Sequence, residues 1–163
     1  MSVILSIPIL SFITILQSAV VSRLPLNRGT ADLMLVVIVA ITLQKSVKTN
    51  WQWSIVGGLL TDFFSGLPFG LFTGSYLIIT GIASLLRERI WRFSFLMQLL
   101  VVLSGTIITH GITMLVFILQ GGSLQFAAVL QTITLPSIIL NFMLSLPVFI
   151  LIQDIIQQLN PLE

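Results

Sequence analysis

Six runs of apolar residues divide the chain, separated by short polar stretches with turn or headgroup chemistry. The first extends from about Val3 to Val21, with Pro8 in its first two turns. Residues 22–30 (SRLPLNRGT) then bring Arg23, Pro25, Arg28 and Gly29, suited to a turn at the headgroups. The second run, Ala31 to Gln44, is strongly apolar but only 14 residues long, short of the roughly 20 that cross a hydrocarbon layer. Lys45 and Lys48 follow it, and then Trp51 and Trp53, indoles that suit an interfacial belt. A third run, about Trp51 to Gly66, is interrupted by Gly57, Gly58, Thr61 and Asp62. The fourth reaches from Pro68, placed where a helix start tolerates proline, to Leu86. Arg87, Glu88, Arg89, Trp91 and Arg92 mark a water boundary after it. The fifth runs from about Phe95 to Gln120 and stops at Gly121, Gly122 and Ser123. The last, from about Gln125 to Gln158, would be about 50 Å long at 1.5 Å per residue. Its span is therefore placed at 125–152, with Gln153, Asp154, Gln157 and Gln158 projecting into water.

These runs are continuously apolar, whereas the strands of a membrane barrel alternate over roughly ten residues. The pattern predicts an all-α, polytopic membrane protein: one six-helix transmembrane bundle occupying residues 1–163, with spans near 3–21, 31–44, 51–66, 68–86, 95–120 and 125–152. Composition sharpens this. Only 7% of the residues are charged and 56% are hydrophobic, against roughly 25% charged in an ordinary soluble domain. A cytosolic enzyme, a nucleic-acid-binding domain and a disordered regulator are all excluded. The net charge of +2 reflects a scarcity of acids, and no run of like charge offers a nucleic-acid site. Cysteine is absent, which removes disulfides, thiolate metal sites and a cysteine nucleophile. The first run lacks the basic start and the cleavage site of a secretory signal and is expected to be retained.

Basic residues set the orientation. With six spans, Lys45, Lys48, Arg87, Arg89 and Arg92 share one side and only Arg23 and Arg28 lie opposite, so both termini are cytoplasmic by the positive-inside rule. The alternative makes the second run re-entrant. Five spans then place all seven basic residues on one side, with the amino terminus outside.

Polar residues inside the runs carry the functional information. A carboxylate at the centre of a membrane helix costs about 2.5–3.5 kcal/mol on insertion scales, so Asp62 is the first candidate. Gly58, Asp62, Gly66, Gly70 and Gly74 recur every four residues, a spacing that puts small residues on one helix face. Pro68 divides that face between two runs. Either the hairpin is close-packed around one buried acid that binds a ligand, proton or partner, or Asp62 lies near an interface or caps the next helix, with the glycines serving packing. His110 shares a face with Thr106, Thr109 and Thr113. It is read as a proton relay or pocket wall, or as a neutral imidazole satisfied by a threonine hydroxyl. Asn141, with Ser137 and Ser145 on either side, forms a third polar stripe, flanked by Pro136 and Pro147. Those prolines should kink the helix and free carbonyls that a neighbour must satisfy. One His and no Cys cannot supply the three or four ligands of a zinc site without most of the few acids, no cofactor is expected, and no catalytic constellation is evident.

The block from Ser54 to Leu86, with Gly58, Asp62, Ser65, Gly66 and Gly70 in order, resembles the rod shape-determining protein MreD family. The resemblance implies an inner-membrane bundle of six helices, similar in architecture to the S-components of energy-coupling-factor transporters. It also implies a non-enzymatic role beside an MreC-like protein, with a RodA-type glycosyltransferase, its transpeptidase and MreB filaments. With such short loops, partner contacts would fall to helix faces and to residues such as Arg87, Arg89 and Arg92. A second function, from a different class, is a transport component binding a small solute among Asp62, His110 and Asn141.

Overall fold

The computed structural model describes residues 3–19, 21, 26–44, 47, 49–89 and 94–159. Arg23, Lys45, Lys48, Trp91 and Arg92, and the side chain of Arg89, lie outside the described residues. The regular elements are all helical: α1 (Val3–Ala19), α2 (Leu33–Leu43), α3 (Asn50–Ser65), α4 (Leu71–Arg89), α5 (Ser94–Leu119), α6 (Phe126–Val129), a π-helical turn (Leu130–Thr134) and α7 (Leu135–Leu159). The last three follow one another without a break and form a single rod.

The six runs thus appear as six helical segments whose bounds differ from the expected ones by a few residues. The fourth begins at Leu71 rather than at Pro68. Gly66 (φ 68°) and Gly70 (φ 95°) adopt left-handed backbone on either side of Pro68, so the chain must turn before a helix can start.

Hydrogen bonds between helices fix their directions. Gln17 near the end of α1 accepts from Met34 N–H at the start of α2. Asn50 at the start of α3 lies against Val47 and Arg87, and Arg87 donates to Thr42 at the end of α2. Asp62 late in α3 meets the start of α4, and Ser54 early in α3 bonds Thr80 late in α4. Along α5, Gln98, Thr106 and His110 meet Ser145, Asn141 and Thr134 in reverse order. Consecutive segments therefore alternate in direction, and α2, α4 and α7 run parallel to one another.

All eleven residues of α2 are buried, and α2 touches α1, α3, α4, α5 and α7. It is the axis of the bundle. An 11-residue helix is about 16 Å long at 1.5 Å per residue, and both of its ends leave unsatisfied backbone groups. Helix α4 supplies partners for both. Tyr76 O–H donates to the Asp32 carboxylate, which caps the amino end of α2 by accepting from Leu35 N–H. The Arg87 guanidinium donates to the carbonyls of Thr42, Gln44 and Val47 at the other end. Residues 76 and 87 are about three helical turns apart and so share one face of α4, at a separation equal to the length of α2. The Asp32 carboxylate and the Arg87 guanidinium also oppose the partial charges of the α2 dipole.

The last rod carries its π turn where Pro136 removes a backbone donor. Without that N–H, the carbonyl of Thr132 loses its usual partner four residues on, and Arg28 N–H donates to it instead at 3.1 Å. The loop that brings Arg28 there is a tight turn, with Asn27 at φ 59° and mutual Leu26–Gly29 hydrogen bonds of 3.0 Å. Gly29 is required for the approach, since a Cβ there would lie 2.6 Å from the Ile133 carbonyl oxygen. The freed carbonyl expected from Pro136 is thus found, together with the neighbour that satisfies it.

Two helices are long and apolar enough to cross a membrane, Phe95–Leu119 and Phe126–Gln158, with mean hydropathies of 2.0 and 2.2. Little more than a quarter of each is buried. Ile139, Met143, Leu146 and Ile150 form an exposed apolar stripe on α7, and Leu100, Ile107, Leu115 and Leu119 are exposed on α5. Apolar surface on this scale is foreign to soluble monomers and marks a lipid or partner contact. Of the two indoles assigned to an interfacial belt, Trp51 is exposed but Trp53 is fully buried. The α3 register turns it inward beside Ser54, into the core around α2.

Candidate functional site

Asp62 is 3% exposed and accepts four hydrogen bonds, all from the first turn of α4 or the residue before it. Gly70 N–H (3.0 Å), Thr73 N–H (3.1 Å) and Thr73 Oγ1 (2.6 Å) donate to Oδ2, and Phe72 N–H (2.7 Å) donates to Oδ1. These backbone groups are orphan donors of a helix start, and a carboxylate among them is favoured by both hydrogen bonding and the helix dipole. Of the readings open from sequence, the geometry matches the one in which Asp62 caps the following helix.

The small residues around it have separate tasks. Gly58 is the close-packing position: a Cβ there would collide with the Thr73 backbone. Ser65 Oγ donates to the Asp62 carbonyl and accepts from Leu67 N–H, each at 3.2 Å. Gly66 and Gly70 supply the left-handed turns and face open space, and Gly74 also faces open space on α4. The intervals of four do not make a single packing face, because the chain between Gly66 and Gly70 is a turn in which helical periodicity has no meaning. Among Gly58, Ser65, Gly66, Gly70 and Gly74, the small residues of this hairpin, Gly58 alone packs tightly. The other four are Ser65, Gly66 and Gly70 in the turn and Gly74 on an open face.

A second polar centre lies where the other stripes converge. Asn141 is 1% exposed; its Oδ1 accepts from Asp32 N–H (2.7 Å) and its Nδ2 donates to Thr106 Oγ1 (2.8 Å). Ser137 Oγ accepts from Thr30 N–H (3.1 Å), and His110 Nδ1 is 3.1 Å from Thr134 Oγ1. Ser145 Oγ donates to the Asn141 carbonyl, and Gln98 Nε2 donates to the Ser145 carbonyl. The α5 and α7 stripes are therefore one network, with the amino end of α2 tied into it. Asp62 does not line the cavity described below, so Asp62, His110 and Asn141 do not form a single pocket.

Asp32, Gln17 and Tyr76 belong to this centre and were not anticipated as site residues. The signal for Asp32 was local: an acid directly before an apolar run is an N-cap. Tyr76 and Gln17 had no comparable signal. Their roles depend on how α4 and α1 pack against α2.

A cavity of about 230 Å³ opens at this centre, between the 26–32 loop, the α3–α4 turn, the last turns of α5 and the start of the final rod. Asp32, Thr109, His110 and Asn141 supply its polar wall; Leu35, Phe72, Met114 and Ile133 are among its apolar lining. A neighbouring cavity of about 360 Å³ lies between α1, α2 and α3, lined by Thr14, Gln17, Thr61 and Phe64 among others. Both are at the end of the bundle opposite the start of α1 and the end of α7. Arg87, at the other end, donates through Nη1 to the carbonyls of Thr42, Gln44 and Val47. Among the described residues no group of three or more His, Cys, Asp or Glu side chains is placed to hold a metal ion. Scans of protein-family models, curated proteins and solved structures find no match to this chain.

Proposed function

We propose that this chain is a non-enzymatic, multi-pass inner-membrane component of the bacterial cell-shape machinery, as its resemblance to the MreD family implies. The observation that carries the reading is the Ser54–Leu86 block. Its Gly58, Asp62, Ser65, Gly66 and Gly70 join α3 to α4 through one close contact, one carboxylate cap and two left-handed turns. The residues that carry the resemblance thus act together as one structural unit, as expected of a motif that defines an architecture.

Six spans with both termini cytoplasmic are supported by the alternation of helix directions. The segment from Ala31 to Gln44 runs from one end of the bundle to the other and does not return, as a re-entrant segment would. Arg87 lies at the same end as the start of α1 and the end of α7, whereas Arg28 lies at the opposite end. In this reading an MreC-like protein, a RodA-type glycosyltransferase with its transpeptidase and, from the cytoplasm, MreB filaments are the partners. The exposed apolar faces of α5 and α7 are available to lipid and to a partner's transmembrane helix alike.

Crosslinking in intact membranes followed by affinity purification tests the proposal. Enrichment of an MreC-like or RodA-like protein over a control membrane protein of similar abundance is expected. Purification of the chain with neither overturns it.

A further inference from the structure

We propose that the cavity beside Asp32 is a binding site for a small organic amine in its protonated form, entering from the end of the bundle opposite the start of α1 and the end of α7. Three observations meet there, and they stand independently of the cell-shape reading.

The first is an unpartnered hydroxyl. Six helical threonines, at positions 14, 42, 61, 106, 113 and 132, donate to the carbonyl four residues earlier, the usual refuge for a threonine in an apolar helix. Thr109 does not. It is 3% exposed, it lines the cavity, and its Oγ1 has no partner among the described residues. An unpaired buried hydroxyl is destabilising; Oγ1 itself is covered, and a χ1 turn that breaks no hydrogen bond brings it to the cavity, where a ligand can satisfy it.

The second is charge. The Asp32 carboxylate lines the same cavity, and the donors around it, Leu35 N–H, Tyr76 O–H, the Gln17 amide and Met34 N–H, are all neutral. Asp62 lines neither cavity, whereas Asp32 brings a carboxylate with no cationic partner to this one. His110 adds a third acceptor. Nδ1 is 3.1 Å from Thr134 Oγ1, and in the tautomer that the proposal requires, with Nδ1 donating there, Nε2 keeps a lone pair for the ligand. A carboxylate, a hydroxyl and an imidazole nitrogen suit the three N–H donors and positive charge of a primary ammonium.

The third is size and wall. The cavity of about 230 Å³ is smaller than a drug-sized pocket. Its remaining wall is apolar, with Leu35, Phe72, Met114 and Ile133. The fitting ligand therefore carries one ammonium on a compact hydrocarbon or aromatic body. Asn141 is a positioning residue: both ends of its amide are committed, to Asp32 N–H and Thr106.

The probe is 4-fluorobenzylamine, observed by ¹⁹F NMR with the full chain in lipid nanodiscs, against 4-fluorobenzyl alcohol as the neutral counterpart. Saturable broadening by the amine alone is expected, with affinity falling at least tenfold in Asp32→Asn and at least threefold in Thr109→Val. Asp32→Asn retains a side-chain oxygen that can cap α2, and Thr109→Val removes only the unpartnered hydroxyl. Thr109→Val therefore carries the test if Asp32→Asn does not fold. Non-saturable partitioning equal in wild type and variants, equal binding of the alcohol, or full affinity in Thr109→Val overturns the proposal. None of those results bears on partner capture in membranes.

Discussion

Replacing Asp62 tests whether the carboxylate, rather than a side chain of its size, holds the α3–α4 hairpin together. Asparagine is nearly isosteric but offers only one acceptor atom. Placed where Oδ2 stands, its oxygen keeps Gly70 N–H, Thr73 N–H and Thr73 Oγ1, while its NH2 then points at Phe72 N–H, now 2.7 Å from Oδ1. One donor facing another costs about 1–3 kcal/mol. Asp62→Leu strands all four donors. Treating two as fully desolvated and two as reaching headgroup water gives about 2–6 kcal/mol. Thr73→Val removes a single hydroxyl donor, about 1 kcal/mol. At about 2–4 °C of midpoint per kcal/mol for a chain of this size, melting temperatures should fall by about 2–4 °C, 2–12 °C and 4–24 °C for Thr73→Val, Asp62→Asn and Asp62→Leu, in that order. Intrinsic tryptophan fluorescence is the suitable readout, since Trp53 is fully buried on α3 itself and the cysteine-free chain gives thiol dyes no target. An Asp62→Asn midpoint at the wild-type value, or one as low as that of Asp62→Leu, would refute the argument from converging donors.

Further predictions follow from the same geometry. Gly58→Ala drives a methyl group into the Thr73 backbone and should destabilise by about 1–3 kcal/mol, whereas Gly74→Ala, facing open space on α4, should raise the melting temperature slightly, worth up to about 1 kcal/mol in helix propensity; equal effects of the two would show that the glycine spacing, not the contact, matters. Arg87→Met should loosen the end of α2 by about 1–2 kcal/mol, seen as faster amide exchange over residues 42–47 with the amino end of α2 unchanged. A reporter fused to the amino terminus should signal from the cytoplasm; an external signal would support the five-span alternative.

Much of the helical layout was legible because apolar runs of this length have few alternatives to helix, and Gly, Pro and charged clusters punctuate them. The Pro136 consequence was legible for the same local reason: a missing N–H frees a defined carbonyl wherever the chain goes. What could not be read was anything decided by packing between segments. The intervals of four from Gly58 to Gly74 suggested one face, yet a left-handed turn at Gly66 divides them. Trp53 carried an interfacial signature but is buried by the register of α3 against the core. Asp62 stood out by the cost of an acid within an apolar segment. Asp32 is equally an acid beside an apolar run, but its significance lies in the Tyr76 hydroxyl and the Asn141 amide, which arrive from segments 44 and 109 residues away in sequence and leave no local mark.

The shortness of α2 was the weakest point of the six-span expectation, and its surroundings supply a physical reason for it. A helix facing lipid must span the hydrocarbon layer because the bilayer core offers no partner to a free backbone group. Helix α2 faces protein along its whole length, so its ends need partners rather than distance. Asp32 meets the amino end, and Arg87 meets three carbonyls at the other. The length of α2 is then set by the separation of Tyr76 and Arg87 on α4, eleven residues in each case. Moving the arginine one turn along α4, by Arg87→Leu with Ala83→Arg, should not rescue the exchange protection of residues 42–47 lost in Arg87→Met, because Ala83 is fully buried against the core. Rescue by that pair would show that the end of α2 needs a nearby positive charge only, and that the matched spacing plays no part.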